Sequence, residues 1–268
     1  MSRVRRELAS GKLVLDKPRA GVTRIGIHNS DKRGMLDQEI LDALATTVPT
    51  LTAQCVIVTG EGSVFSAGYD IEALHEEPPA GAAEGLLAHP SNAALQAIER
   101  YPYPVLAALN GHTFGGGLEL AMACDLRVAS RAARMAMTPG KLGLVYSHTG
   151  LRRFLDVCGL ANTNELFFLA APIDAERALA MGLVNRVVDP AELEHAALSI
   201  AEQIGASAPL ALAGNKHAIR TMRAELSRMP GQIEQNLIDL TAAGVGSDDF
   251  AEGQRAFAEK RPPTWKGR

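Results

Sequence analysis

Cysteine is scarce in this 268-residue chain: Cys55, Cys124 and Cys158 make an odd number with no metal-like spacing. Cys55 and Cys124 stand in apolar contexts where free thiols pack as small hydrophobes, so a disulfide framework is not expected and a reducing cytoplasm is. No uninterrupted apolar span approaches ~20 residues, and Met1 to Lys12 carries arginines without an apolar signal region. Neither a membrane span nor a standard secretory signal is therefore expected. A basic surplus is lacking too: a net charge of −3 and a pI near 6.2 argue against nucleic acid as the main partner. There is no Walker-type phosphate loop and no His/Cys/Asp grouping that suggests a metal. No repeat of fixed period is present, and the one low-complexity stretch, Glu76 to Gly85, reads as a mobile loop.

What the chain does have is apolar mass. At 47% hydrophobic it can bury a full core without metal or disulfide, as one large domain or one domain with an appendage. Leu13 to Asp16 and Thr23 to His28 run apolar on either side of the Pro18 to Gly21 turn signal and predict an antiparallel hairpin. Ile40, Leu41, Leu44 and Val48 recur at helical spacing within Asp37 to Val48, a helix closed by Pro49. Further strands are expected at Cys55 to Thr59, Val105 to Leu109, Leu126 to Ala129 and Leu183 to Val188. Helices are expected over Asn92 to Arg100, Leu118 to Ala123, Leu151 to Val157 and Asn164 to Ala170. Strands alternating with helices predict an α/β fold. From Ala191 onward the pattern is helical only, broken at Gly205 to Pro209, Pro230-Gly231 and Gly244 to Gly246, which divides residues 1–190 from a helical region over 191–268.

Two glycine-bearing stretches each follow a strand-like run. Phe65-Ser66-Ala67-Gly68-Tyr69-Asp70 follows Val56 to Thr59, and Asn110 to Glu119, with the triplet Gly115-Gly116-Gly117, follows Val105 to Leu109. A glycine-rich turn leading into a helix aims free backbone N–H groups at whatever docks there, and such a site prefers developing negative charge. The pair resembles the crotonase (enoyl-CoA hydratase/isomerase) superfamily, and the resemblance extends through Pro104 to Asp125, Ala178 to Val188 and Phe250 to Trp265. It implies a spiral of ββα turns, and C-terminal helices that assemble a homotrimer or a dimer of trimers. It also implies an acyl-CoA substrate, with coenzyme A part of that substrate and no separate cofactor. The main-chain N–H groups of Tyr69 and Gly116 would hold the thioester oxygen and stabilise an enolate, leaving the Tyr69 side chain incidental. Ala67, Gly68, Asp70 and Gly115 flank these donors as substrate-binding positions. Glu119, one short helical stretch from the glycines, is placed to reach the carbon next to the thioester.

Hydratases of this family carry a second glutamate, in a Pro-Glu segment before Lys-Leu-Gly-Leu. Here the matching stretch, Met137 to Leu144, puts Pro139 at that position, which has no proton to give. One positioned acid or base is worth roughly 10²–10⁴ in rate, so efficient hydration is not expected. The run from Met137 to Tyr146, with Phe65 to Asp70 and Ala256 to Arg261, resembles instead the methylmalonyl-CoA decarboxylase branch. In that branch the tyrosine matching Tyr146 hydrogen-bonds the substrate carboxylate, and loss of carbon dioxide leaves the enolate. Ser147-His148-Thr149-Gly150 departs from the branch pattern, and His148 is a candidate to bind a carboxylate or orient water. Lys32 and Arg33 match basic residues that meet CoA phosphates, and Phe257 and Lys260 match a tail that touches CoA in the same or an adjacent subunit. Asp125 and Arg127 read as structural ion-pairing groups, and His112 as a brace for the glycine turn. The function expected is decarboxylation of a small malonyl-type CoA thioester. An enoyl-CoA hydratase or isomerase using Glu119 alone, and an inactive scaffold of the same fold, are the alternatives.

Overall fold

Two sheets organise the chain in the computed structural model, which describes residues 5–70 and 90–268. The low-complexity stretch Glu76 to Gly85 lies outside the described residues, as does the loop around Leu74 to Leu87. The larger sheet has seven strands in the order β1 (Arg6–Leu8), β2 (Leu13–Arg19), β3 (Val22–Ile27), β4 (Cys55–Gly60), β6 (Val105–Leu109), β8 (Leu126–Ser130) and β11 (Arg186–Val188). β2 and β3 form the expected antiparallel hairpin, and every pairing from β3 to β11 is parallel. The smaller sheet orders β10 (Ile173–Asp174), β9 (Arg134–Ala136), β7 (His112–Phe114) and β5 (Val64–Ser66). Three of the long strands, β4, β6 and β8, each lead into a short strand of the second sheet. β6 and β7 lead to α3 (Gly116–Ala123), and β8 and β9 lead to α4 (His148–Asn164). That progression is the spiral of ββα turns that the family resemblance implied, within the α/β fold that the alternation predicted.

Burial on both faces explains why the long strands read as continuous apolar runs. Val56, Val58, Val105 and Ala107 point into the main core beneath α1 (Gln38–Thr47) and α2 (Pro90–Arg100). Their neighbours Cys55, Ile57, Leu106 and Ala108 point the other way, onto Leu193, Ala196, Ala197 and Ala201 of α6 (Leu193–Gly205). The helix Leu193–Gly205, just past the division at residue 190, thus packs against the sheet. α1 starts where Asp37 accepts the Ile40 N–H at 3.1 Å, and it buries Ile40, Leu41 and Leu44. The helices beyond are α7 (Pro209–Leu226), α8 (Gly231–Val245) and α9 (Asp248–Glu259), with α5 (Ala175–Ala180) preceding β11.

Some elements differ from the sequence pattern. The helices expected at Leu151 to Val157 and Asn164 to Ala170 form one element, α4, which departs from helical geometry at Gly159 (φ 74) and runs into a π-helical turn over Glu165–Leu169. Of the strand expected from Leu183, only Arg186–Val188 pairs; Leu183 and Val184 are buried in the preceding turn. Asp125 does make the expected ion pair, with Lys216 of α7 at 2.6 Å. Arg127 does not. Its guanidinium donates to the carbonyls of Cys124, Ala121 and Leu183 at 2.7, 3.3 and 2.6 Å, so it satisfies the open C-terminal end of α3 in place of a carboxylate. Burial holds its proton affinity below the usual arginine range.

α3 lies so close to β5 that a Cβ on Gly117 would stand 2.6 Å from Ser66 Cβ and 2.7 Å from Ser66 O. Gly117→Ala sets a helix-propensity gain of up to about 1 kcal/mol against an overpacking cost of about 1–3 kcal/mol, with backbone as the obstacle. Packing wins, and denaturant unfolding is expected to show a net loss of stability. An unchanged or raised unfolding free energy would mean that α3 and β5 separate without cost.

Candidate active site

The second sheet brings the two glycine segments together. β5 and β7 pair in parallel, Val64 against His112 and Ser66 against Thr113. Asn110 fastens the approach: its Nδ2 donates to the Gly62 and Val64 carbonyls at 2.9 and 3.0 Å, while its Oδ1 accepts from Gly60 N at 2.9 Å. Gly68 has φ +107, and a Cβ there would sit 3.0 Å from Phe114 O and 3.1 Å from Gly116 N, so both its conformation and its contacts require glycine. Leu36 bridges to this strand end, donating to Gly68 O at 2.8 Å and accepting from Asp70 N at 3.4 Å. Those bonds use Tyr69's neighbours, which turns the Tyr69 N–H to the side away from Leu36. Gly115 donates to Ala136 O at 2.9 Å, while the N–H of Gly116, first residue of α3, meets no protein acceptor among the described residues.

The Tyr69 side chain is not incidental. Its ring lies on Gly116, where a Cβ would come within 2.5 Å of the ring, and its hydroxyl donates to Glu119 Oε2 at 2.9 Å. Tyr146 donates to the same oxygen at 2.6 Å, and Arg153 Nη1 donates to Oε1 at 2.9 Å. Glu119, 5% exposed, therefore has donors on both oxygens. Arg153 is in turn held by Glu99, through Nε at 2.9 Å and Nη2 at 3.4 Å. Burial alone would loosen the Arg153 proton, but Glu99 and Glu119 outweigh it and the guanidinium holds its proton more tightly than usual. Tyr146 packs on Phe167 with ring centroids 5.4 Å apart, and Phe167 meets Phe154 edge-on at 5.1 Å. Burial, then the Glu119 charge, push the Tyr146 phenol well above the ordinary tyrosine range.

The structure gathers Gly68, Tyr69, Gly116, Glu119 and Tyr146 into one cluster and sets others at its margins. Ala67 is exposed, with its N–H on Arg33 O at 3.0 Å, so Arg33 supports the first segment through its backbone while its side chain and that of Lys32 face solvent. His148 turns its ring toward Glu234 of α8, Nε2 to Oε1 3.5 Å, without a hydrogen bond. His112 is exposed and stacks on Phe114; its backbone N–H, not its ring, braces the turn, donating to Ser63 O at 3.0 Å. Pro139 is buried in the turn Pro139–Leu142, against which α9 packs. Phe257 and Lys260 are exposed at the end of α9, whose Glu252 is gripped by Arg261 and by the Thr264 N–H, holding that carboxyl down at about 2.

Arg153 and Glu99 were not singled out by the sequence reading. One signal for Arg153 was available: it neighbours Phe154 on the apolar face of its helix, where a charge requires a partner.

The fold and this cluster define a class. The enoyl-CoA hydratase/isomerase family model matches residues 18–268, and the chain belongs to that family, the crotonase superfamily of acyl-CoA enzymes. Among its relatives is the methylmalonyl-CoA decarboxylase of Escherichia coli strain K12, 34% identical over 251 residues that cover 92% of this chain and 95% of that one. The carnitinyl-CoA dehydratase of the same strain is 40% identical over 220 residues, 79% of this chain and 81% of the relative. A structure of methylmalonyl-CoA decarboxylase in complex with 2-nitronate-propionyl-CoA superposes with a TM-score of 0.87 at 31% identity, over 96% of this chain and 99% of that one.

Alkaline titration tests the Tyr146 environment. An ordinary tyrosine ionises near pH ~10, whereas burial pushes Tyr101 to about 12 and Tyr146 also upward. Both raised groups add stability that is complete below pH ~10, where folded and unfolded chains are alike protonated, and that is lost as pH rises and only the unfolded chain releases its protons. Phenolate absorbance is expected to show late-ionising tyrosines, and Tyr146→Phe to remove one of them and flatten the alkaline loss of stability. A late titration unaltered in Tyr146→Phe would overturn this assignment.

Proposed function

We propose that the protein decarboxylates a small malonyl-type, methylmalonyl-like CoA thioester through a thioester enolate. The observation that carries the reading is the pairing of Tyr146 with Glu119 at 2.6 Å, beside the first-turn amide of Gly116 and with Pro139 in place of a second glutamate. In this reading the thioester oxygen docks at the Tyr69 and Gly116 N–H groups. The bond between the α-carbon and the carboxylate breaks, its electron pair passes into the enolate, and neutral carbon dioxide leaves. A proton then returns to the α-carbon. No base is needed to begin, which suits a glutamate whose two oxygens already accept from three donors.

A hydratase or isomerase working through Glu119 is the second reading, and the carboxylate at the first turn of α3 favours it, as does the similarity to carnitinyl-CoA dehydratase. Hydration asks in addition for a second positioned acid, and buried Pro139 offers none. Burial of a catalytically equipped cluster speaks against an inactive scaffold.

We further propose assembly as a homotrimer or a dimer of trimers in the cytoplasm, with no separate cofactor. Exposed Leu160, Phe168, Leu169, Leu210, Ile219 and Leu226 on and after α4 and along α7 support an assembled state, and three buried free cysteines support a reducing compartment. No single helix among the described residues is long and apolar enough to cross a membrane. For the CoA moiety, Lys32, Arg33, Phe257 and Lys260 are the proposed contacts.

Carbon dioxide release from methylmalonyl-CoA tests the reaction. Tyr146→Phe is expected to lower kcat/KM roughly 10–100-fold, the worth of one hydrogen bond to a charged group. Silence across a panel of carboxyacyl-CoAs, or full activity in Tyr146→Phe, would remove the decarboxylase reading. Water addition to crotonyl-CoA that collapses in Glu119→Gln would establish the second reading in its place.

A further inference from the structure

Behind Glu119, on the far side of Arg153, helices α2, α4 and α7 converge on a polar cavity of about 220 Å³. Its wall carries Arg100, Arg152, Arg153, Arg220 and Arg223 against a single carboxylate, Glu99. Two of the five guanidiniums are committed: Arg153 to Glu99 and Glu119, and Arg223 to Asp156 at 2.5 Å with Glu99 at 3.8 Å. Arg100, Arg152 and Arg220 have no carboxylate partner within ion-pair distance among the described residues, and the buried Nε of Arg152 has no hydrogen-bond acceptor. Positive charges gathered around one cavity repel each other, and a buried guanidinium N–H without an acceptor costs desolvation energy that none of the described residues offsets.

We propose that this cavity is an anion site that binds a small, multiply charged tetrahedral oxyanion of the phosphate type. Guanidinium groups match phosphate oxygens as planar forks, and three uncommitted ones supply both charge and directed N–H groups. Size limits the ligand. Pockets for drug-sized molecules run to about 300–1,000 Å³, so the space of about 220 Å³ here suits a free anion or a single phosphoryl group. Arg153 lines the cavity and also donates to Glu119, so the two sites adjoin through that one guanidinium, and the proposal does not depend on which acyl-CoA reaction the protein performs.

The test is calorimetric titration and thermal unfolding of the full chain with inorganic phosphate, against chloride at matched ionic strength. Saturable phosphate binding with a raised Tm is expected, competed by sulfate and weakened about tenfold or more in Arg220→Gln and in Arg152→Gln. Arg228→Gln, which removes an exposed arginine outside the cavity, is expected to bind phosphate as the unaltered protein does. Equal stabilisation by chloride, or undiminished affinity in Arg220→Gln, would overturn the proposal. So would preference for malonate over phosphate and sulfate, or a carboxylate of a second copy of the chain seated in the cavity.

Discussion

A carboxylate held inside the protein by three donors governs the layout around it. Glu119 is buried on a helix that starts with two glycines, and among the described residues its carboxylate accepts from Tyr69, Tyr146 and Arg153. Each donor arrives from a different part of the chain: the first glycine segment, the loop before α4, and α4 itself. Removing one partner of a buried, hydrogen-bonded charge typically costs about 3–5 kcal/mol, because the charge that remains is unpaired. Glu119 therefore links three segments as well as presenting a carboxylate. Glu99 extends the link by fixing Arg153 from the side of α2.

The same cluster shows where sequence is informative. The long strands and α1 were legible because their signals are repeated: a run of apolar residues buried on two faces, or four apolar residues at helical spacing over a capped start. The glycine segments were legible because backbone approach excludes side chains, as at Gly68 and Gly117. The second sheet was not. Its strands are two or three residues long, too short for any alternation to be seen, yet the pairing of β5 with β7 is what sets Tyr69 on Gly116. Tyr69 was read as a main-chain donor alone because its side-chain partner stands fifty residues away, at Glu119. Arg127 was misread for a similar reason: an arginine beside an aspartate suggests an ion pair, whereas carbonyls at a helix end leave no mark in the sequence.

Rigidity is unevenly distributed around the cluster. Asn110 ties together the turns after β4 and β6 with its single amide, and Arg127 closes the C-terminal end of α3, the helix that bears Glu119. Tyr146 is supported differently. It follows the turn Pro139–Leu142 and precedes the Ser147 cap of α4, whose hydroxyl accepts the Gly150 N–H at 3.1 Å. Its own orientation depends on packing against Phe167 and on the bond to Glu119.

That bond leads to a count of protons. A phenol has one hydrogen to donate, and in this structure Tyr146 gives it to Glu119. In the decarboxylation proposed here, the substrate brings a second carboxylate to the same hydroxyl, and only one of the two anions can receive that hydrogen. If Tyr146 turns to the substrate, Glu119 keeps Tyr69 and Arg153; if it does not, two carboxylates face each other across a phenolic oxygen. The first arrangement orients the bond to be broken. The second raises the energy of the bound carboxylate without affecting carbon dioxide, which carries no charge. Either way, in the proposed reaction, losing the carboxyl group relieves a conflict over one proton, and the first-turn amide of Gly116 is the donor proposed to receive the displaced charge. Adding water relieves nothing of the kind. It is this competition for the Tyr146 hydrogen that sets the proposed decarboxylation apart from proton abstraction by Glu119.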